Sequence, residues 1–185
     1  MSLEAVVELL AGAPFPWWIA GGLALELHLG RSWRAHDDTD VGIRRTDAPA
    51  VHRWLEAWDL HVAAAGELHR WHGQPLDAGA GENNVWMRGE AGASWVLDLT
   101  VGDGDEDSWI YRRDPAVRRP WGEVVRTTAG GIPYLVPEVQ LLFKSCTLRP
   151  KDDLDARLVV PVLDHGARAF LGAALPAGHP WRSLL

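Results

Sequence analysis

Residues 34–41 read RAHDDTDV, three aspartates within four positions running into an apolar stretch. Carboxylates this close repel one another, and a chain tolerates them where cations gather. Side chains alternate across a strand, so at the entry to a strand over 40–44 (DVGIR) Asp38 and Asp40 share one face while Val41 and Ile43 turn to the core. In SWVLDLTV (94–101), Trp95, Leu97, Leu99 and Val101 form the apolar face, and Asp98 falls on the other with Ser94, Val96 and Thr100. If those strands are neighbours, Asp38, Asp40 and Asp98 converge. Hard cations with oxygen ligands, Mg²⁺ above all, suit such a trio. Two of them about 3.5–4 Å apart would clamp the attacking and leaving oxygens of a phosphoryl transfer.

The bare spacing carries little alone, because Asp-x-Asp recurs at 38/40, 103/105, 105/107 and 153/155. Loop solvation or turn capping explains an isolated pair as well. Context adds weight: Gly21-Gly22 sits at a strand-to-helix turn, where bare backbone N–H groups and a helix N-terminus can receive phosphate. The acidic run DGDEDSWIYRRD (103–114) imitates a calcium loop but has Ser108 where the turn wants glycine, so a solvated loop is expected. His69 and His72 could form half a zinc site, yet no further Cys or His follows nearby, and an exposed loop pair is expected. Trp33, Trp71 and Trp86 are candidate pocket walls. Cys146, the one cysteine, is expected as a small buried residue.

The elements that must hold these residues follow from periodicity. Apolar stripes predict helices over 3–11, 23–29 (closed by Gly30), after Asp47 as N-cap, after Pro137 and after Pro150. Strands are predicted at 17–20, 40–44, 59–64, 84–88 and 94–101. Strands and helices mix early and helices cluster late, which predicts an α+β (or α/β-like) sheet domain over 1–135 with a helical C-terminal lobe over 136–185. No stretch reaches the roughly 18 apolar residues of a membrane span, and the acidic N-terminus argues against a signal peptide, so a cytoplasmic protein is expected. The formal net charge of −7 argues against a nucleic-acid partner and suits a cationic small molecule or a metal–nucleotide complex. Among 18 Lys and Arg only Lys144 and Lys151 are lysines, and both fall in one segment.

Taken in order, WWIAGGLALELHLGRSWRAHDDTDVGIRR, WVLDLTV, WIYRRDP, PYLVPEVQLLFKS, RPKDDLD and HPW resemble the polymerase-β-like nucleotidyltransferases, in particular the small bacterial aminoglycoside 2″-adenylyltransferase-like branch. Leu23 and Thr39 depart from the branch, which commonly has Trp and Ile there. The resemblance implies a twisted mixed sheet flanked by helices, with the helical lobe closing a cleft. It further implies that Asp38 and Asp40 hold Mg²⁺, as a pair of ions, and that Asp98 completes the cluster or takes the acceptor's proton. Gly21 and Gly22 would cradle the triphosphate of a nucleoside triphosphate, ATP foremost, with Arg34 and Lys144 as phosphate contacts. The reaction implied is transfer of a nucleoside monophosphate to a hydroxyl of a small acceptor, an aminoglycoside-like antibiotic being favoured by the acidic surface. A toxin modifying tRNA or protein, and a non-catalytic nucleotide or metal sensor, are the alternatives.

Overall fold

A computed structural model describes residues 1–36 and 38–185; Asp37 lies outside the described residues. Helix α1 (Leu3–Leu9) is capped by the Ser2 hydroxyl, which accepts from the Ala5 N–H. Strand β1 (Trp17–Ile19) leads into α2 (Gly21–Leu29), which Gly30 ends in the left-handed conformation at φ 65°. Strand β2 (Asp40–Arg44) follows, then α3 (Ala48–Trp54), β3 (Asp59–Ala64), β4 (Glu67–Arg70), β5 (Asn84–Arg88) and β6 (Leu97–Gly102). The short pair β7 (Ser108–Ile110) and β8 (Arg118–Pro120) precedes α4 (Trp121–Val124), β9 (Val125–Thr127) and β10 (Pro133–Leu135). Three helices, α5 (Pro137–Lys144), α6 (Pro150–Val159) and α7 (His165–Ala174), complete the chain with a final turn over Pro180–Leu184.

Eight strands form one mixed sheet in the order β4-β3-β5-β6-β2-β1-β10-β9, with β7 and β8 paired separately. Pairing is parallel for β2 with β6 and for β1 with β10, and antiparallel elsewhere. Alternation sorts the two central strands: Val41, Ile43, Leu97, Leu99 and Val101 are buried in the apolar core, and Asp40, Gly42, Asp98 and Thr100 take the opposite face. Residues in register share a face, so two rows cross that second face of the sheet. One runs Trp18, Gly42, Thr100, Asn84, and the other Asp40, Asp98, Trp86, His61. Gly42 is required there, because a Cβ would overlap the Trp18 indole. Helix α2 packs on α5 and α6 as well as on β2 and β10, which brings the helical segment over the same end of the sheet. Among the described residues no helix is long and apolar enough to cross a membrane.

Several expectations are corrected. The helix predicted from 23 starts at Gly21, so the glycine pair forms its first turn. Asp47 precedes α3 without making a side-chain cap, because Arg45–Asp47 already turn as a 3₁₀ segment and leave it in a helical conformation. Cys146 is exposed, since α5 ends at Lys144 and the apolar stripe stops with it. His69 lies in β4, at the sheet's polar edge, where it faces Glu67 at 3.5 Å.

Candidate active site

Register brings Asp40 of β2 directly beside Asp98 of β6. Asp98 is buried, and its carboxylate accepts from the Asn84 side-chain amide, 2.9 Å to each oxygen. Burial pushes Asp98 up to about 7; the Asn84 amide restrains the rise, and the Asp40 and Asp38 charges add to it. Asp40 is also raised, by burial first and then by Asp38, with Lys144, Lys151 and Arg149 opposing. Asp38 is exposed and lines the same cavity as Asp40 and Asp98.

The folded chain keeps the Asp98 proton up to about 7, while the unfolded chain releases it near 3.8. In EDTA this group's contribution to stability is therefore full below about pH 4 and is lost as pH climbs to about 7, a change on the order of a few kcal/mol. Urea unfolding of the wild type and Asp98→Asn should give a stability difference that grows across that window; a difference flat with pH would contradict it.

Two cavities meet at this pair. The first, of about 250 Å³, is lined by Gly22, Arg34, His36, Asp38, Lys144, Arg149 and Lys151 beside Asp40 and Asp98. The second, of about 260 Å³, also contains Asp40 and Asp98 and runs along Trp18, Trp109 and Phe143. Two buried carboxylates of α6 organise the first one. Asp155 accepts from Trp33 Nε1 at 2.9 Å, Arg34 Nε at 3.1 Å and Arg34 Nη2 at 3.0 Å, and lies 3.0 Å from Lys144 Nζ. Asp152 accepts from Lys144 Nζ at 2.8 Å and Arg149 Nε at 2.7 Å. Burial opposes both charges, but these cations hold Asp152 and Asp155 below the ordinary carboxylate range. Three cations thus answer two anions, and Lys151 is exposed with no ion pair among the described residues. Four cations thus line the cavity across from Asp38, Asp40 and Asp98.

The glycine turn is fixed by contact. Gly21 has φ 66°, and a Cβ there would overlap the Asp40 carboxylate; its N–H donates to Gln140 Oε1 at 2.8 Å. Gly22 touches the Arg34 guanidinium, and Gly22 and Leu23, not Gly21, line the basic cavity. Gly21→Ala is expected to cost about 1–2 kcal/mol from the left-handed backbone alone. Displacing Asp40 should reduce the transfer activity that the resemblance implies by roughly a hundredfold, measured beside a urea midpoint; full activity would contradict the contact.

Glu26, the acid that interrupts the apolar helix α2, positions the segment leading to the aspartates. Its carboxylate is buried and accepts from the Trp33 N–H at 3.0 Å and the Arg34 N–H at 3.3 Å, and His36 Nε2 lies 3.1 Å away. Sequence reasoning missed Glu26, Asn84, Gln140, Arg149 and Lys151; the two lysines sharing one segment were the available signal for the last. Of the three candidate tryptophans, Trp86 lines the basic cavity, Trp33 braces Asp155, and Trp71 belongs to the core. Trp18 and Trp109 were missed.

Among the described residues no three His, Cys, Asp or Glu side chains close around one point as a metal cage. Asp40 and Asp98 nevertheless fit a divalent cation: they are paired oxygen donors, and both are held above the ordinary carboxylate range, by burial first and then by the negative charge of neighbouring aspartates.

The chain matches the family model of aminoglycoside-2″-adenylyltransferases over residues 2–67. No curated protein matches it. Among solved structures, ANT(2″)-Ia in complex with adenylyl-2″-tobramycin superposes with a TM-score of 0.60 at 18% identity, covering 93% of this chain and 94% of that one. The lincomycin-bound lincosamide antibiotic adenylyltransferase LnuA gives 0.54 at 20% identity, covering 83% and 90%. At these identities the likeness is one of fold.

Proposed function

From a chain that has the nucleotidyltransferase fold and resembles the aminoglycoside 2″-adenylyltransferase branch of the polymerase-β-like superfamily, we propose a divalent-metal-dependent enzyme that moves a nucleoside monophosphate to a hydroxyl of a small acceptor. The observation that carries this reading is the Asp40–Asp98 pair standing where a cation-rich cavity and an aromatic cavity meet. A triphosphate suits the basic side, where Arg34, Lys144, Arg149 and Lys151 border the cavity beside the first turn of α2. Asp38, Asp40 and Asp98 would hold Mg²⁺, which when bound neutralises charge on the transferring phosphoryl group. The acceptor oxygen attacks the α-phosphorus as the bond to the β-phosphate oxygen breaks; pyrophosphate leaves, and the hydroxyl proton passes to an Asp98 carboxylate oxygen. Asn84 keeps that carboxylate oriented by bonding both of its oxygens. Positioning and charge supply the rate, with no covalent nucleophile.

Arg34 and Lys144 act here as charges fixed by Asp155 rather than as freely swinging phosphate ligands. ATP is the proposed donor, and aminoglycosides and lincosamides enter the test because one structural neighbour is bound to adenylyl-2″-tobramycin and another to lincomycin. Incubation with Mg²⁺, α-labelled ATP and a panel of aminoglycosides, lincosamides, small hydroxylated aromatics and tRNA should yield a labelled small molecule with pyrophosphate. Mg²⁺-dependent nucleotide binding with no product from any acceptor would instead identify a sensor, and labelled tRNA a toxin-like enzyme.

A further inference from the structure

In-line displacement places the nucleophile opposite the leaving group. With pyrophosphate leaving into the basic cavity on one side of Asp40 and Asp98, the acceptor must approach from the other, through the cavity that shares those two aspartates. Its walls differ from what a polyamine needs. Trp18, Trp109, Leu135 and Phe143 supply apolar faces, and the charged side chains besides the two aspartates are Arg112 and Arg113.

Both arginines leave positive charge there. Arg112 is largely desolvated: its Nη2 donates to the Val101 carbonyl at 2.6 Å, and its guanidinium lies over Phe143 at 5.5 Å. Its ionic partner, Asp103, at 3.3 Å, is shared with Arg45, which holds it at 2.6 Å. Burial lowers the Arg112 pKa, Asp103 opposes this, and the Arg113 and Arg45 charges lower it further, the mark of a crowded cationic corner. Arg113 is exposed and makes no ion pair among the described residues. Once Asp40 and Asp98 face a divalent cation, no unpaired acid among the described residues along this wall remains to receive an ammonium group.

We infer that this cavity takes a hydroxylated acceptor with a flat apolar body and an anionic group, held by Trp18, Trp109 and Phe143 and by Arg112 and Arg113, in preference to a polycation. The inference rests on the nucleotidyltransferase reading and names its acceptor class. The negative net charge of the whole chain favours cations at long range; the lining of the cavity decides at contact distance, where stacking on aromatic rings and pairing with arginine set affinity.

The test uses the full-length protein with Mg²⁺ and a non-hydrolysable ATP analogue, and measures equilibrium binding of p-hydroxybenzoate, its neutral amide p-hydroxybenzamide, the cation tyramine, and kanamycin. p-Hydroxybenzoate is expected to bind at least about tenfold more tightly than tyramine, the scale of one well-placed charged hydrogen bond, and kanamycin is not expected to displace it. Arg113→Glu, an exposed change that breaks no ion pair among the described residues, should remove that tenfold preference, and Arg112→Gln should weaken the benzoate specifically while leaving the amide within about threefold. Tighter tyramine or kanamycin binding, a preference untouched by Arg113→Glu, or displacement of p-hydroxybenzoate by the ATP analogue would overturn the acceptor class alone. Failure of the analogue itself to bind with Mg²⁺ would overturn the nucleotidyltransferase reading and this inference with it.

Discussion

Asp40→Asn and Asp98→Asn are each expected to reduce nucleotidyl transfer by at least about a thousandfold, a rise of roughly 4 kcal/mol in the barrier, while raising the melting temperature of the protein in EDTA near pH 8. The two effects have one cause. Desolvated side by side on β2 and β6, and repelled further by Asp38, these carboxylates resist ionisation, Asp98 up to about 7. A neutral amide removes that burial cost and repulsion from the metal-free protein, worth on the order of 2 kcal/mol. It also removes the negative charge that draws the cation. Most substitutions destabilise, so a variant that gains stability and loses activity separates a stressed functional pair from an ordinary structural one. Loss of activity together with loss of stability would make the pair a part of the framework instead. Asp38→Asn should likewise abolish transfer, with little change in stability, because Asp38 is exposed.

Asp155→Ala should be the most destabilising change near the site, by roughly 3–5 kcal/mol. Asp155 is fully buried and takes bonds or ion pairs from Trp33, Arg34 and Lys144, which arrive from the loop after α2 and from α5. Removing it leaves two cations facing each other without their shared anion. The same side chain sets the walls of the basic cavity, so the KM for ATP should rise at least about tenfold. Asp155→Asn retains the shape and some hydrogen bonds and should fall between. Urea unfolding with steady-state kinetics in ATP measures both; a loss of stability under about 1 kcal/mol, the scale of an exposed pair, would show that Arg34 and Lys144 are held by something else.

How much of this was legible beforehand varies with the physics of each element. Strand β2 was bounded correctly because Val41 and Ile43 alternate with polar neighbours and turn residues follow, and the Asp98 face was read from the same alternation in β6. Strand β4 was missed because an edge strand that is exposed at every residue, ELHR, carries no apolar signature. The Gly21-Gly22 turn was located, yet its purpose, clearing space beside Asp40 and Arg34, depends on tertiary approach. Arg149 and Lys151 reach the cavity only because α6 packs against α2, and Asn84 meets Asp98 only through the β5–β6 ladder. The ion pair from Arg157 to Asp153, at 2.7 Å, was readable from i, i+4 spacing, whereas the burial of Asp155 two residues on was not.

Calorimetric titration of ATP into the full-length protein near pH 8, with Mg²⁺ and then with EDTA, tests the central claim most directly. ATP should bind with Mg²⁺ present, bind at least tenfold more weakly in EDTA, and lose the Mg²⁺ enhancement in Asp40→Asn. Equal affinity with and without Mg²⁺, or an enhancement that survives in Asp40→Asn, would contradict a cation site built on the β2 and β6 carboxylates.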